Sequence, residues 1–217
     1  MTTQQTALEH LRVIRSLLEK SQVYRAVSAP AALCGGFLAL AAALVTINNF
    51  SPPLAGRMEP RTFLGLWLAI LVITSALNFY LLSREAASRS QPFFSEGMRT
   101  ALRAFLPPML VGGVLGVCLI WYRNDVNVAS LVWILCYGLA LLSTSHFSPR
   151  SLVRLGWAFV IFGTVLTIEY FAQIGFAMPI SSTVPASIFL GLTFGLLHIA
   201  YAVAVFVRKP ATQNPDA

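Results

Sequence analysis

Residues 191–202 read Gly-Leu-Thr-Phe-Gly-Leu-Leu-His-Ile-Ala-Tyr-Ala, and this stretch decides how the rest of the chain is interpreted. At about 100° per residue, one narrow helical stripe collects five residues: Ser187, Gly191, Gly195, His198 and Ala202. The other faces carry Leu, Phe, Ile and Val. Small side chains let helices approach closely inside a membrane, whereas long apolar ones face lipid. The stretch therefore predicts a membrane-spanning helix whose stripe packs against protein.

The whole chain has the composition of a membrane protein. Of its 217 residues, 57% are hydrophobic and only 11% are charged, against roughly 25% charged residues in ordinary soluble domains. Six apolar stretches are each long enough for the roughly 20 residues that a membrane-crossing helix needs; they cover 28–48, 63–83, 104–122, 128–146, 152–172 and 184–207. We therefore predict an all-α membrane protein, a six-transmembrane-helix bundle.

The basic residues predict the orientation of the bundle. If the amino terminus is cytoplasmic, 12 of the 15 Lys and Arg residues lie on the inside, as the positive-inside rule requires. We expect both termini in the cytoplasm. The net charge of +7 is then a signal of topology, and no nucleic-acid partner is expected.

Residues 6–25 form a separate element, because their apolar residues recur at helical spacing while the opposite face is charged. Leu8, Leu11, Ile14 and Leu18 lie on the apolar face. We divide the chain into an amphipathic amino-terminal helix (1–27), a transmembrane domain (28–209) and a disordered carboxy-terminal tail (210–217). Two interpretations of the first segment stay open. It lies on the inner leaflet as an interfacial helix, or it docks a cytoplasmic partner or a second copy of the chain.

Glycines recur on the predicted spans at positions suited to close helix packing. We assign six of them to helix contacts: Gly35, Gly36, Gly112, Gly116, Gly191 and Gly195. Pro30 and the Pro107-Pro108 pair precede the first two glycine groups, which places these prolines in the opening turns of spans one and three.

Four polar residues within the spans are candidates for function. His198 lies about 9 residues from the inner end of its span, on the order of 13 Å deep, and either hydrogen-bonds across a close helix crossing or contacts a haem, quinone or substrate. Asn78 either hydrogen-bonds between helices or lines a solute path, and Tyr201 is a candidate for the same path. Glu169, near the outer end of span five, is the fourth, with a proton- or substrate-linked role as the alternative to an interfacial carboxylate.

Several short motifs resemble a family of uncharacterised bacterial six-span membrane proteins. They are 13–21 (Val-Ile-Arg-Ser-Leu-Leu-Glu-Lys-Ser), 137–141 (Tyr-Gly-Leu-Ala-Leu), Leu155-Gly156 and 194–201 (Phe-Gly-Leu-Leu-His-Ile-Ala-Tyr). Relatives tend to have Gly where this chain has Ala202. The resemblance implies the six-span topology and the bacterial inner membrane, and it implies no activity.

The chain carries no P-loop, GxSxG, HExxH or Rossmann pattern. We therefore expect no enzyme activity, no metal and no cofactor. The first hypothesis is a non-enzymatic integral membrane protein that acts as a subunit, scaffold or signalling partner, with the lipid bilayer and a protein or second copy at residues 6–25 as its partners. The alternative is a small-molecule carrier or channel with a path past His198, Tyr201 and Asn78.

Overall fold

The computed structural model describes residues 27–48, 58–88, 96–146, 148–172 and 183–207. These residues form six helices, each long and apolar enough to cross a membrane. They are α1 (Ala29–Asn48), α2 (Pro60–Ser88), α3 (Glu96–Arg123), α4 (Val126–Ser143), α5 (Arg150–Ala172) and α6 (Val184–Val207). The described part of the chain contains no strand, so the predicted all-helical, six-span architecture of a multi-pass membrane protein is confirmed there. The amphipathic helix predicted within residues 1–27 and the tail 210–217 lie outside the described residues, apart from Val27.

Consecutive helices run antiparallel, whereas α4 and α6 pack side by side in the same direction, since the Ala186 N–H near the start of α6 donates to Asn127 Oδ1 near the start of α4. Just before α1, the Ser28 N–H donates to Asn78 Oδ1 in the second half of α2 (2.9 Å). Tyr201, close to the end of α6, donates its hydroxyl to Val27 O at 3.0 Å. The two described ends of the chain, at 27 and 207, therefore lie at the same end of the bundle, which we call the α1-start end.

Helix α3 begins earlier than the hydropathy pattern indicates. It starts at Glu96, which places Pro107 and Pro108 in the helix interior, whereas the sequence placed them in an opening turn. Polar residues can continue a helix past the apolar core, and hydropathy does not mark that extension. A proline removes a backbone donor, which leaves a carbonyl one turn earlier unpaired. Ser143 Oγ on α4 lies 2.8 Å from one such carbonyl, Ala104 O, and 2.7 Å from Ala140 O of its own helix. The single hydroxyl proton is therefore shared between the two carbonyls, in line with the way Ser side chains satisfy groups freed by prolines in membrane helices.

The loop between α3 and α4 is short. Asn124 adopts a left-handed conformation with φ of 53°, which Asn tolerates better than most residues. Asp125 then caps α4, because its Oδ1 accepts the Val128 N–H at 3.0 Å and satisfies a donor of the first turn. The turn sequence thus aligns α3 and α4 as an antiparallel pair.

The six helices are buried to different extents. In α4 and in α6, 50% of the residues in the most apolar 18-residue stretch are buried within protein. The corresponding share is only 17% in α3 and 11% in α2. Helices α1, α4, α5 and α6 therefore form the packed core, and α2 and α3 lie at its side. Large apolar side chains are exposed along both peripheral helices, among them Val72, Tyr80, Leu110 and Val114.

Candidate functional site

The predicted packing glycines lie where helices cross. A Cβ added at Gly36 on α1 would lie 2.9 Å from Gly195 O on α6, and a Cβ at Gly191 would lie 2.8 Å from Ala43 Cβ. Real Cβ atoms do not approach other atoms this closely. The α1–α6 crossing therefore depends on the missing side chains.

The other glycines serve different crossings. A Cβ at Gly35 would lie 2.9 Å from Thr74 Cγ2 on α2, and one at Gly112 would lie 2.6 Å from Cys136 Cβ on α4. Gly116 faces the indole of Trp133. By contrast, Gly65 and Gly113 have no atom within 4 Å of an added Cβ, so these two positions have room for a side chain.

The stripe on α6 faces two different neighbours. Residues Gly191–Leu197 form a π-helical segment between two α-helical ones. A π-helix has more residues per turn than an α-helix, so the residues after it are rotated relative to uninterrupted α-helical spacing. Gly195 contacts Leu40 on α1, and Ile199, four residues on, approaches Gly36. His198 lies on α6 beside this line and contacts α4.

Both ring nitrogens of His198 are hydrogen-bonded. Nδ1 lies 3.0 Å from Phe194 O, and Nε2 lies 2.9 Å from Tyr137 Oη on α4. A carbonyl only accepts, so Nδ1 carries the proton; in the neutral imidazole Nε2 then accepts from the Tyr137 hydroxyl. The neutral ring thus bonds once within its own helix and once across to α4, and no ring nitrogen is left for a ligand.

Aromatic rings enclose this hydrogen bond. The Tyr137 ring lies 4.8 Å from Phe159 and 5.0 Å from Phe194, between ring centroids. The imidazole stacks on Phe194 with an interplanar angle of 13°. Such ring pairs add to the energy of burial. The cluster joins α4, α5 and α6 around one polar contact.

Tyr201 and Asn78, two of the other sequence candidates, also join helices. Tyr201 bonds the backbone at residue 27 and Asn78 that at residue 28, at the contacts described above. Asn127, which the sequence did not single out, accepts the Ala186 N–H at 2.9 Å and so satisfies a donor in the first turn of α6.

Glu169 lies apart from the other candidates, at the end of the bundle opposite the α1-start end. Its side chain is partly buried, and the buried Oε2 has no hydrogen-bond partner within the described residues. The structure therefore brings Asn78 and Tyr201 to the start of α1 and His198 to α4, but it does not join Glu169 to them.

Hydroxyl groups within the spans bond their own helices. Thr46 Oγ1 donates to Ala42 O, Thr167 Oγ1 to Gly163 O and Thr193 Oγ1 to Phe189 O, each at 2.7 Å. This is the usual arrangement where water is absent. It leaves these hydroxyls without a proton to donate to a solute.

A cleft of about 450 Å³ lies between α2 and α3. Exposed lining residues on both helices, including Leu71, Phe79 and Leu102, mark its mouth. The His198–Tyr137 pair lies on its floor. Asn78 lines the cleft near the α1-start end. The cleft therefore lies in the gap left by the two loosely packed helices.

Trp67 lines the same cleft from α2. Its ring is buried, and its Nε1 has no acceptor among the residues that the structure describes. Among the residues that the structure describes, no group of three His, Cys, Asp or Glu side chains could hold a metal ion.

Comparison of the chain with protein-family models, with curated proteins and with solved structures found no match.

Sequence reasoning missed the partner of His198 and the cap of α6. Tyr137 opens the 137–141 motif, but nothing in that motif indicates that its hydroxyl contacts His198. Asn127 offered a weak signal, since an amide at the start of an apolar span needs a partner. The contact across 61 residues between Tyr137 and His198 follows only from the helix arrangement.

Proposed function

We propose that the chain is a non-enzymatic multi-pass protein of the bacterial inner membrane that acts as a subunit, scaffold or signalling partner. The observation that carries the proposal is the hydrogen bonding inside the bundle. His198, Tyr201 and Asn78 were the best candidates for a solute path, and each bonds another helix. Polar side chains used in this way hold membrane helices together, so the polar groups that remain for recognition are at the ends of the bundle.

The charges favour one end for this recognition. Among the described residues, the α1-start end carries five arginines: Arg84, Arg99, Arg103, Arg150 and Arg154. The opposite end carries Arg61 and Arg123. The positive-inside rule supports assigning the α1-start end to the cytoplasm. The amphipathic segment 6–25 precedes α1 at this end, and we propose it as the contact with a partner or a second copy.

Substitutions on the apolar face of segment 6–25 test this proposal. We expect the Leu11→Glu/Leu18→Glu protein to lose its co-purifying partner, or its self-association, while it still inserts into the membrane. The matched control, Glu19→Gln/Lys20→Gln, changes the polar face without changing the net charge and is expected to keep the complex. Particle mass after gentle solubilisation measures the outcome. An unchanged mass in the leucine variant would refute the docking role.

The second candidate is a small-molecule carrier or channel. The observation in its favour is that the cleft reaches both His198 and Asn78. If the chain is such a carrier, His198→Ala should change the rate at which proteoliposomes swell in a panel of small neutral solutes. Unchanged swelling rates, with the variant folded, would eliminate this candidate.

A further inference from the structure

The cleft between α2 and α3 is long, and most of the side chains that line it are apolar. On α3 its lining runs from Met98 to Val117, a rise of roughly 28 Å at 1.5 Å per residue. This length is close to the roughly 30 Å thickness of the hydrocarbon core of a bilayer. Lipid chains in the bilayer can therefore reach the cleft along its whole length.

A hydrocarbon chain matches the apolar lining of the cleft, and it can enter from the bilayer without crossing a polar surface. Small residues, including Ala31, Ala32, Gly35 and Gly113, form part of the cleft wall and leave this space open. Because the mouth faces the hydrocarbon of the bilayer, an empty cleft would forfeit the contacts that a chain supplies.

Positive charge lies beside one end of the cleft. Arg99 follows Met98 and Arg103 follows Leu102, and both arginines are exposed. Exposed Arg84 is two residues beyond the lining residue Leu82. Basic groups beside a site between membrane helices attract anionic lipid headgroups.

We infer that the cleft holds one acyl chain of an anionic phospholipid, with the headgroup beside Arg99 and Arg103. The phospholipid comes from the leaflet at the α1-start end. This site goes beyond the proposed function, because it does not depend on any protein partner.

Gly113 and Gly65 provide a matched pair of variants for the test. Both are exposed helical glycines with room for a side chain, but only Gly113 lines the cleft. A Cβ at 113 meets no protein atom within 4 Å, so a leucine there adds its side chain at the wall of the cleft. The experiment counts phospholipid per chain by phosphate assay and mass spectrometry after extensive detergent washing of the full-length protein.

We expect about one phospholipid per chain in the parent and in Gly65→Leu, and at least fivefold less in Gly113→Leu. Equal retention in both leucine variants would overturn the proposal. Retention of a free fatty acid would also overturn the proposal. Retention of an isoprenoid quinone, with an oxygen that accepts from the unpaired Trp67 Nε1–H, would overturn it as well. Thermal unfolding of both variants verifies that they are folded.

The headgroup assignment has its own measurement, which also serves if Gly113→Leu fails to fold. The delipidated parent is exchanged with vesicles of phosphatidylglycerol or of phosphatidylcholine with the same acyl chains. Each arginine contributes about fivefold, so the anionic lipid is expected to be retained roughly 25-fold better. Arg99→Gln/Arg103→Gln should abolish this preference. Equal retention of the two lipids by the parent would overturn the proposal.

Discussion

Adding a single methyl group at Gly36 should separate α1 from α6. In Gly36→Ala the new Cβ would lie 2.7 Å from Ile199 Cγ1, 2.9 Å from Gly195 O and 3.2 Å from Ile199 N. The Ile199 side chain can rotate, but the two backbone atoms move only with the helix. Since carbon and oxygen atoms settle about 3.3–3.6 Å apart, the helices must move apart by about half an ångström. Such overpacking costs about 1–3 kcal/mol.

Gly65→Ala is the matched control for this prediction. Replacing a helical Gly with Ala stabilises by about 0.5–1 kcal/mol when there is space, and the Cβ at Gly65 meets no atom within 4 Å. The gain in helix propensity from replacing Gly with Ala is the same in both variants and cancels in the comparison. We therefore expect Gly36→Ala to be less stable than Gly65→Ala by about 1–3 kcal/mol, measured by reversible unfolding in mixed detergent micelles. Equal stability of the two variants would refute the close α1–α6 crossing.

Three further substitutions test individual contacts by the same unfolding measurement. Tyr137→Phe leaves His198 Nε2 without a donor and should cost about 0.6 kcal/mol, and at most about 1.7; no loss would contradict the hydrogen bond. Ser143→Ala removes the hydroxyl proton that Ala104 O shares with Ala140 O and should cost up to about 1 kcal/mol, unlike an exposed Ser→Ala change. The Arg61 guanidinium lies 4.9 Å from the centroid of the Trp121 ring, which is a cation–π contact. Arg61→Gln should therefore cost about 0.5–1 kcal/mol of stability, whereas Arg61→Lys should keep part of this cation–π energy.

The bilayer explains why the six spans could be predicted from sequence. A crossing helix needs about 20 apolar residues, and this requirement is visible in hydropathy alone. The prediction placed Pro107-Pro108 in an opening turn because hydropathy does not distinguish a polar helical turn from a loop. The serine that bonds the freed carbonyl, Ser143, lies 39 residues from its acceptor. That compensation depends on how α3 and α4 pack.

The candidate site could be predicted only in part. Small residues at Gly191 and Gly195 identified a close helix crossing, because little else fits there. The sequence pattern assumed α-helical spacing throughout α6, so it placed His198 on the same stripe. The π-helical segment has no recognisable signal in the sequence. In the structure Gly191, Gly195 and Ile199 of α6 all approach α1, whereas His198 contacts α4. The cleft could not be predicted either, since it results from loose packing of α2 and α3.

One comparison tests most directly whether the buried polar groups are structural and the functional surface is cytoplasmic. It measures the mass and composition of the particles purified from native membranes for the parent, for a variant lacking residues 1–25, and for His198→Ala. We predict a defined complex in the parent and in His198→Ala, and its loss in the truncated protein. A complex that survives the truncation but is lost in a folded His198→Ala protein would contradict the account.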